Sequence, residues 1–199
     1  MRIGIDLDDV LGDLVPSFAS FHNRVYGSKF ERTDFVSFSF SKVLKISEEE
    51  TNIRLEAFYK SEEFRGIIPV FNSQKGVDTL RNLGHELVLI SYRPSNVFEQ
   101  TSSWLVEYFH EKFSAVFLIG SGSQRKRDIC FALNIPLMVE DSLEHALDCT
   151  SLGTRVILYD TPWNQTNLGS MIRRAYSWGD IVNVVRNKGI LFSRPKESD

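Results

Sequence analysis

The 199-residue chain contains only two cysteines, Cys130 and Cys149. They form no CxxC pair and are too few for a disulfide framework, which excludes a thiol-based zinc or redox motif and fits a reducing, cytoplasmic setting. A long basic run is also missing, and the formal net charge is −3, so nothing draws the chain to a nucleic-acid polymer. No apolar run reaches membrane-spanning length, and the start, one Arg followed by a short apolar stretch broken by acids, does not read as a signal peptide. The histidines His22, His85, His110 and His145 are scattered, with no HExxH pair, and read as structural or exposed rather than as ligands. "IGSGSQRK" has glycines near a helix start but lacks the GK[ST] ending of a phosphate-cradling loop, and it reads as a flexible turn.

What remains is the composition of an ordinary globular protein, 42% hydrophobic and 25% charged, long enough for one sizeable core and an insertion. Short runs rich in Ile, Val, Leu or Phe recur at "RIGIDL", "HELVLISY", "SAVFLIG", "IPLMVED" and "TRVILYD", and read as buried strands. Between them, "SQKGVDTLRNLG", "NVFEQTSSWLVEYFHEKF" and "KRDICFALN" have helical spacing. The alternation predicts an α/β fold, a parallel sheet flanked by helices. It fails from about residue 14 to residue 72, where "LVPSFASFHNRVYG" and "SEEETNIRLEAFYKSEEF" read as helical. Residues 1–13 and 73–199 are therefore the expected core and 14–72 an insert, with the last few residues frayed.

In an open parallel sheet, ligands bind beyond the carboxyl ends of the strands. The first strand leads to Asp6 and Asp8, the second to Ser91 and Arg93, the fourth to Glu140 and Asp141, and the fifth to Asp160. Like charges crowded on one edge repel unless a cation or a shared proton intervenes, and hard oxygen ligands without Cys or His favour magnesium over zinc. Such an edge suits phosphate chemistry, in which negative charge on nonbridging oxygens must be neutralised. Ser91 and Lys126 are candidate donors to that phosphate; the other reading of Lys126 is a solvated first helical turn.

In their order these pieces resemble the haloacid dehalogenase superfamily of phosphohydrolases, whose four motifs read here "IDLDD", "LISYRP", "RKRDIC" and "MVEDS". Within it, "DLDDVLGDL", "EEFRGIIPVFNSQKGVDTL" and "LYDTPWNQ" are similar to the 5'(3')-deoxyribonucleotidase group. Asp9 stands in place of the usual glycine, Ser91 in place of the commoner threonine, and Leu14 where that group carries a phenylalanine stacked on the base. The resemblance implies a Rossmann-like core with a helical cap inserted after the first motif, covering residues 14–72. It implies Asp6 as nucleophile, forming an aspartyl-phosphate, and Asp8 as acid and base. Magnesium is implied at the Asp6 carboxylate, the Asp8 backbone carbonyl and Asp141, with Glu140 acting through water. Ser91 and Lys126 would bind the phosphoryl group, Lys126 would keep Asp6 ionised, and Arg93 would add a phosphate contact.

The side chains of Asp6 and Asp8, two apart in extended backbone, can reach one phosphate while Asp9 alternates away. Asp13 is read as ordering the loop into the cap. In the cap, Phe18, Phe21 and Tyr26 read first as interior and second as a substrate face. The expected function is a magnesium-dependent phosphomonoesterase for a small phosphorylated metabolite, a nucleoside or deoxynucleoside monophosphate first. A receiver-like signalling domain shares the residue types, but its acceptor aspartate ends the third strand, where this chain has helical "TNIRLEAFYK". A phosphate-binding domain without catalysis is the other alternative.

Overall fold

The computed structural model describes residues 1–187; the polar tail expected to fray lies outside them. Strand β1 (Arg2–Ile5) lies between β2 (Glu86–Ser91) and β4 (Leu137–Glu140), with β3 (Ala115–Leu118) beyond β2, and β5 (Arg155–Tyr159) and β6 (Ile172–Ala175) beyond β4. All five pairings are parallel, with Ile5 opposite Leu89 on one side and Val139 on the other. Such strands are covered on both faces, which is why they read as unbroken apolar runs. Successive residues serve opposite layers: Leu87 and Leu89 pack in one, Val88 and Ile90 in the other. Strand β6 was not anticipated, because "IRRA" places two arginines in an edge strand too polar to stand out.

The helices occupy the following ranges. Between Asp13 and β2 come α1 (Leu14–Tyr26), α2 (Phe40–Leu44), α3 (Glu48–Tyr59), α4 (Glu62–Arg65) and α5 (Ser73–Asn82), with a single 3-10 turn at Arg32–Asp34. Then α6 (Phe98–Phe109) joins β2 to β3 and α7 (Lys126–Ala132) joins β3 to β4. After β4 come α8 (Leu143–Thr150) and, past β6, α9 (Trp178–Arg186). Helices α5, α6 and α9 cover one face of the sheet; α7 and α8 cover the other. Among the described residues no helix is long and apolar enough to cross a membrane.

The inserted helices follow local chemistry. Helix α3 starts at Ser47, whose hydroxyl accepts the Glu50 N–H, and three glutamates in its first turn oppose the positive end of the helix dipole. The stretch expected to be one helix is broken at Ser61, which donates to the Phe58 carbonyl at 2.6 Å and accepts the Phe64 N–H at 3.2 Å. One side chain thus ends α3 and caps α4. Phe18 and Phe21 are buried among Phe35, Phe58 and Phe64, and Tyr26 is exposed under the Arg54 guanidinium at 4.1 Å. Of the two readings of these aromatics, the interior one holds for Phe18 and Phe21, and none of the three lines the cavity described below.

The chain enters and leaves the insert side by side. Gly12 bridges Pro69, Asp13 N–H donates to the Ile68 carbonyl at 2.9 Å, and Val70 N–H donates to the Leu11 carbonyl at 2.7 Å. Trp104 seals this crossing by donating its Nε1–H to the Ile67 carbonyl at 2.6 Å, its ring lying where a side chain on Gly12 would be.

A second tryptophan ties the loop after β1 to the core. Trp178 is buried and donates its Nε1–H to the Val10 carbonyl at 2.9 Å, with its ring against Gly76 of α5. A Cβ on Gly76 would lie 2.2 Å from Trp178 Cε3. Gly76→Ala is therefore expected to destabilise the fold by about 1–3 kcal/mol through overpacking, although alanine is the better helix former by about 1 kcal/mol. A fall in the urea unfolding midpoint relative to wild type would show it; an unchanged or raised midpoint would contradict it.

Candidate active site

The sheet order reverses between β1 and β4, and the crevice above that point is where this topology gathers loops around ligands. Asp6 leaves β1 there, its N–H donating to the Val139 carbonyl at 2.9 Å. The next residues turn tightly, with the Leu11 and Gly12 N–H groups both donating to the Leu7 carbonyl. Leu7 is buried in the core, while Asp6 and Asp8 line a cavity on the other side. Asp9 takes a left-handed backbone, φ 55°. That conformation suits glycine and is tolerated by Asp. Its carboxylate accepts the Val15 N–H at the start of α1 and an Arg32 Nη1–H at 3.1 Å, and Arg32 also pairs with Asp13.

Lys126, the first residue of α7, is 2% exposed, so the solvated reading fails. Its ammonium lies 2.6 Å from Asp6 Oδ1 and 2.6 Å from Glu140 Oε2. The other Glu140 oxygen accepts the Ser142 N–H at 3.1 Å and lies 3.4 Å from His145 Nδ1. Asp141 Oδ2 accepts the Trp163 Nε1–H at 2.9 Å, and its carbonyl accepts from Asn164 at 2.8 Å. Ser91 lines the cavity, its Oγ accepting the Arg93 N–H at 3.1 Å, which leaves its own proton to donate.

Asp6, Glu140 and Asp141 offer carboxylate oxygens within 4.8 Å of one another, all buried. One ammonium against three carboxylates leaves two negative charges unmatched. Burial, reinforced by Glu140, pushes Asp6 up to about 7 against the pull of Lys126. Burial, with Glu140 and Asp6, raises Asp141 well above the usual carboxylate range. Burial opposes ionisation of Glu140 too, but Lys126 and His145 hold it down at about 2. Lys126 stays protonated against its own burial because Asp6 and Glu140 flank it. Lys126 does favour ionised Asp6, as expected, but the burial of the site outweighs it. A set of hard oxygens with a charge deficit of two fits a divalent cation.

The remaining candidates divide. Arg93 is buried and turned onto Asp8: Nε lies 3.0 and 3.1 Å from its two oxygens, and Nη2 lies 2.6 Å from Oδ1. Asp160 belongs elsewhere, bound to Arg174 at 2.7 Å and to Gln165. The "flexible turn" is a brace. Gly120 donates to the Arg93 carbonyl, and a Cβ there would sit 2.0 Å from the Tyr92 carbonyl oxygen.

Several cavity residues escaped the sequence reading. Phe35, Phe38, Phe40 and Tyr59, all from the insert, line it beside Leu14, the first residue of α1 and the position that the resemblance singles out. His145, read as structural or exposed, reaches the cavity with its ring 4.4 Å from that of Tyr92 and 5.2 Å from that of Phe38. Trp163 lies under the Arg32 guanidinium at 5.5 Å while it holds Asp141. "LYDTPWNQ" pointed to this place without assigning it a task.

A doubly wound parallel sheet with a DxD after β1, Ser after β2, Lys at the start of α7 and a carboxylate pair after β4 is the fold and site of the haloacid dehalogenase-type phosphohydrolases. Residues 1–190 match the family described as "5' nucleotidase, deoxy (Pyrimidine), cytosolic type C protein", and the chain belongs to that family. A nucleotidase of Clostridium acetobutylicum is 23% identical over 187 residues, 93% of each chain. Among solved structures, a haloacid dehalogenase-like family hydrolase from Streptococcus pneumoniae is similar with TM-score 0.71 at 11% identity, over 92% of this chain and 97% of that one. A HAD family hydrolase from Deinococcus radiodurans R1, with bound phosphate and sodium, is similar with TM-score 0.67 at 13% identity over 98% of each. The protein is a hydrolase acting on phosphomonoesters.

Removing the ammonium from the carboxylate cluster leaves Glu140 Oε2 buried without its charged partner. Lys126→Met, which keeps most of the apolar stem, is expected to cost about 3–5 kcal/mol of stability at pH 8. Urea unfolding of the two proteins side by side measures this, and a loss below about 1 kcal/mol would show that the cluster does not depend on the ammonium.

Proposed function

We propose that the protein is a magnesium-dependent phosphomonoesterase that forms an aspartyl-phosphate on Asp6, with nucleoside or deoxynucleoside 5'-monophosphates as substrates. The observation that carries this reading is the convergence of Asp6, Asp8, Ser91, Lys126 and Asp141 on one cavity. In this reading Asp6 attacks phosphorus, exchanging one difficult displacement for two easier ones. Asp8 gives a proton to the leaving oxygen and then takes one from the attacking water. Ser91 and Lys126 donate to the nonbridging oxygens of the transferring group. Arg93 already has Asp8 as its partner, which argues against the expected phosphate contact.

The Asp6 carboxylate, the Asp8 backbone carbonyl and Asp141 would hold magnesium. When bound, the ion neutralises charge on the phosphoryl oxygens. Glu140, expected to act through water, has both oxygens engaged, and its task in our reading is to hold Lys126 in place. Trp163 and Asn164 fix Asp141, as partners of a ligating carboxylate do.

Residues 14–72 serve as a helical cap over a core of 1–13 and 73–199. The cap supplies an apolar, aromatic wall beside the phosphate site, suited to a planar base and able to exclude water during transfer. That wall is built from Phe35, Phe38 and Phe40, so the absence of an aromatic at Leu14 does not leave it bare. The family match and the curated nucleotidase relative favour this substrate class over other phosphorylated metabolites.

Phosphate release from a panel of phosphate esters with magnesium tests the reading. Nucleoside 5'-monophosphates are expected to rank first, Asp6→Asn to abolish release, and chelation to suppress it; release by Asp6→Asn at the wild-type rate would sink the mechanism. The carboxyls of Asp6 and Asp9, raised to about 7 and about 8, set a second expectation. A raised carboxyl stabilises the fold fully below its unfolded value of 3.8, and that contribution is lost as pH rises through the folded value. Glu140, held at about 2, works oppositely, its contribution being lost only in acid. In chelator the melting temperature should therefore fall between about pH 5 and pH 8, with magnesium restoring more at pH 8 than at pH 5. A flat profile with equal magnesium effects at both ends would contradict the charge deficit.

A further inference from the structure

The Arg93 side chain is held by three partners. Its guanidinium grips Asp8 through Nε and Nη2, and its Nη1 donates to Thr101 Oγ1 of α6 at 3.1 Å. The ring of Phe64, from α4 of the insert, lies 4.7 Å from the guanidinium carbon. The backbone is fixed as well, between the Ser91 hydroxyl on one side and Gly120 on the other. Arg93, Thr101 and Phe64 are all nearly or wholly buried.

Each of the three guanidinium nitrogens therefore already has an acceptor in the protein. The grip on Asp8 is also lopsided: Oδ1 takes bonds from both Nε and Nη2, whereas Oδ2 takes only the longer Nε contact at 3.1 Å. Oδ2 is thus the less engaged of the two oxygens. A planar, rigid donor fork of this kind fixes the direction of a carboxylate as well as its position. Phe64 supplies the remaining constraint, because a buried ring from the insert lies against the guanidinium.

We infer that Arg93 is a positioning residue for Asp8 rather than a phosphate ligand, and that Phe64 makes the aim of Asp8 depend on how the insert is seated. The inference rests on the proposed reaction. In its first step the Asp6 oxygen forms a bond to phosphorus, the bond from phosphorus to the leaving oxygen breaks, and the Asp8 proton goes to that oxygen. A misdirected Asp8 harms departure of a poor leaving group and spares a good one, since only the poor one needs the proton. Loss of a phosphate contact would harm both alike.

The test compares kcat/KM, which covers the steps through departure of the alcohol, for 4-nitrophenyl phosphate and for a primary alkyl phosphate, with inorganic phosphate as inhibitor. Arg93→Gln is expected to lower the alkyl ester's value about 100-fold and the aryl ester's less than about 5-fold. Inhibition by phosphate should stay within about 2-fold of wild type. Arg93→Lys should recover only part of the alkyl rate, because one ammonium cannot span both contacts. Phe64→Leu, which leaves Asp8 and Arg93 in place, should shift the ratio of the two esters the same way by a smaller factor, about 3- to 10-fold. It carries the test if the Arg93 variants do not fold. Equal losses on both esters, with or without weakened phosphate inhibition, would overturn the inference, as would an unmoved ratio in Phe64→Leu. A wild-type protein that hydrolyses neither ester would overturn the proposed reaction itself, and this inference with it.

Discussion

The Lys126 ammonium, buried between Asp6 and Glu140, is the contact on which the site depends. A charge so deep is tolerable only where opposite charges meet it at hydrogen-bonding distance. The two carboxylates come from β1 and β4, and the ammonium from the helix that joins β3 to β4. The pairing therefore fixes the start of α7 over the place where the sheet reverses direction. Glu140 in turn is steadied by Ser142 and His145 in the first turns after β4. The charge balance explains why three acids can share one buried crevice, and why they share it incompletely, with Asp6 and Asp141 left reluctant to ionise.

A second pairing crosses from the insert to the core. Arg32 reaches Asp9 and Asp13 in the loop after β1, and its guanidinium lies on Trp163, whose indole N–H holds Asp141. Acids that looked like surplus in the opening motif therefore have separate duties. Asp6 and Asp8 face the cavity, while Asp9 and Asp13 receive an arginine from 19 or more residues away.

The alternating strands and helices were legible because strands buried on both faces leave unbroken apolar runs. The DxD, Ser91, Lys126 and Glu140–Asp141 were legible because each follows such a run or opens the helix after one. Strand β6 hid behind Arg173 and Arg174, whose charge masks a buried Ile172 and Ala175. The break at Ser61 was hidden by the helical composition on both sides of it. Phe18 and Phe21 could not be told from Phe35, Phe38 and Phe40 by spacing. The first two share the hydrophobic face of a regular helix; Phe35 and Phe38 lie on irregular backbone, which has no period to read. The partners of Asp141 and Asp8 were illegible for a related reason. Trp163 and Asn164 lie over 20 residues from Asp141 and Arg93 lies 85 from Asp8, so only the assembled sheet brings them together.

The crossing of Gly12 with Pro69 has an architectural consequence. Because the chain departs and returns at adjoining backbone positions, the geometric closure of the intervening stretch is met by the core itself. A longer or shorter stretch changes the entropy of closure only logarithmically. The position is thus a socket: descendants can exchange what is plugged into it while the sheet and its charges stay as they are.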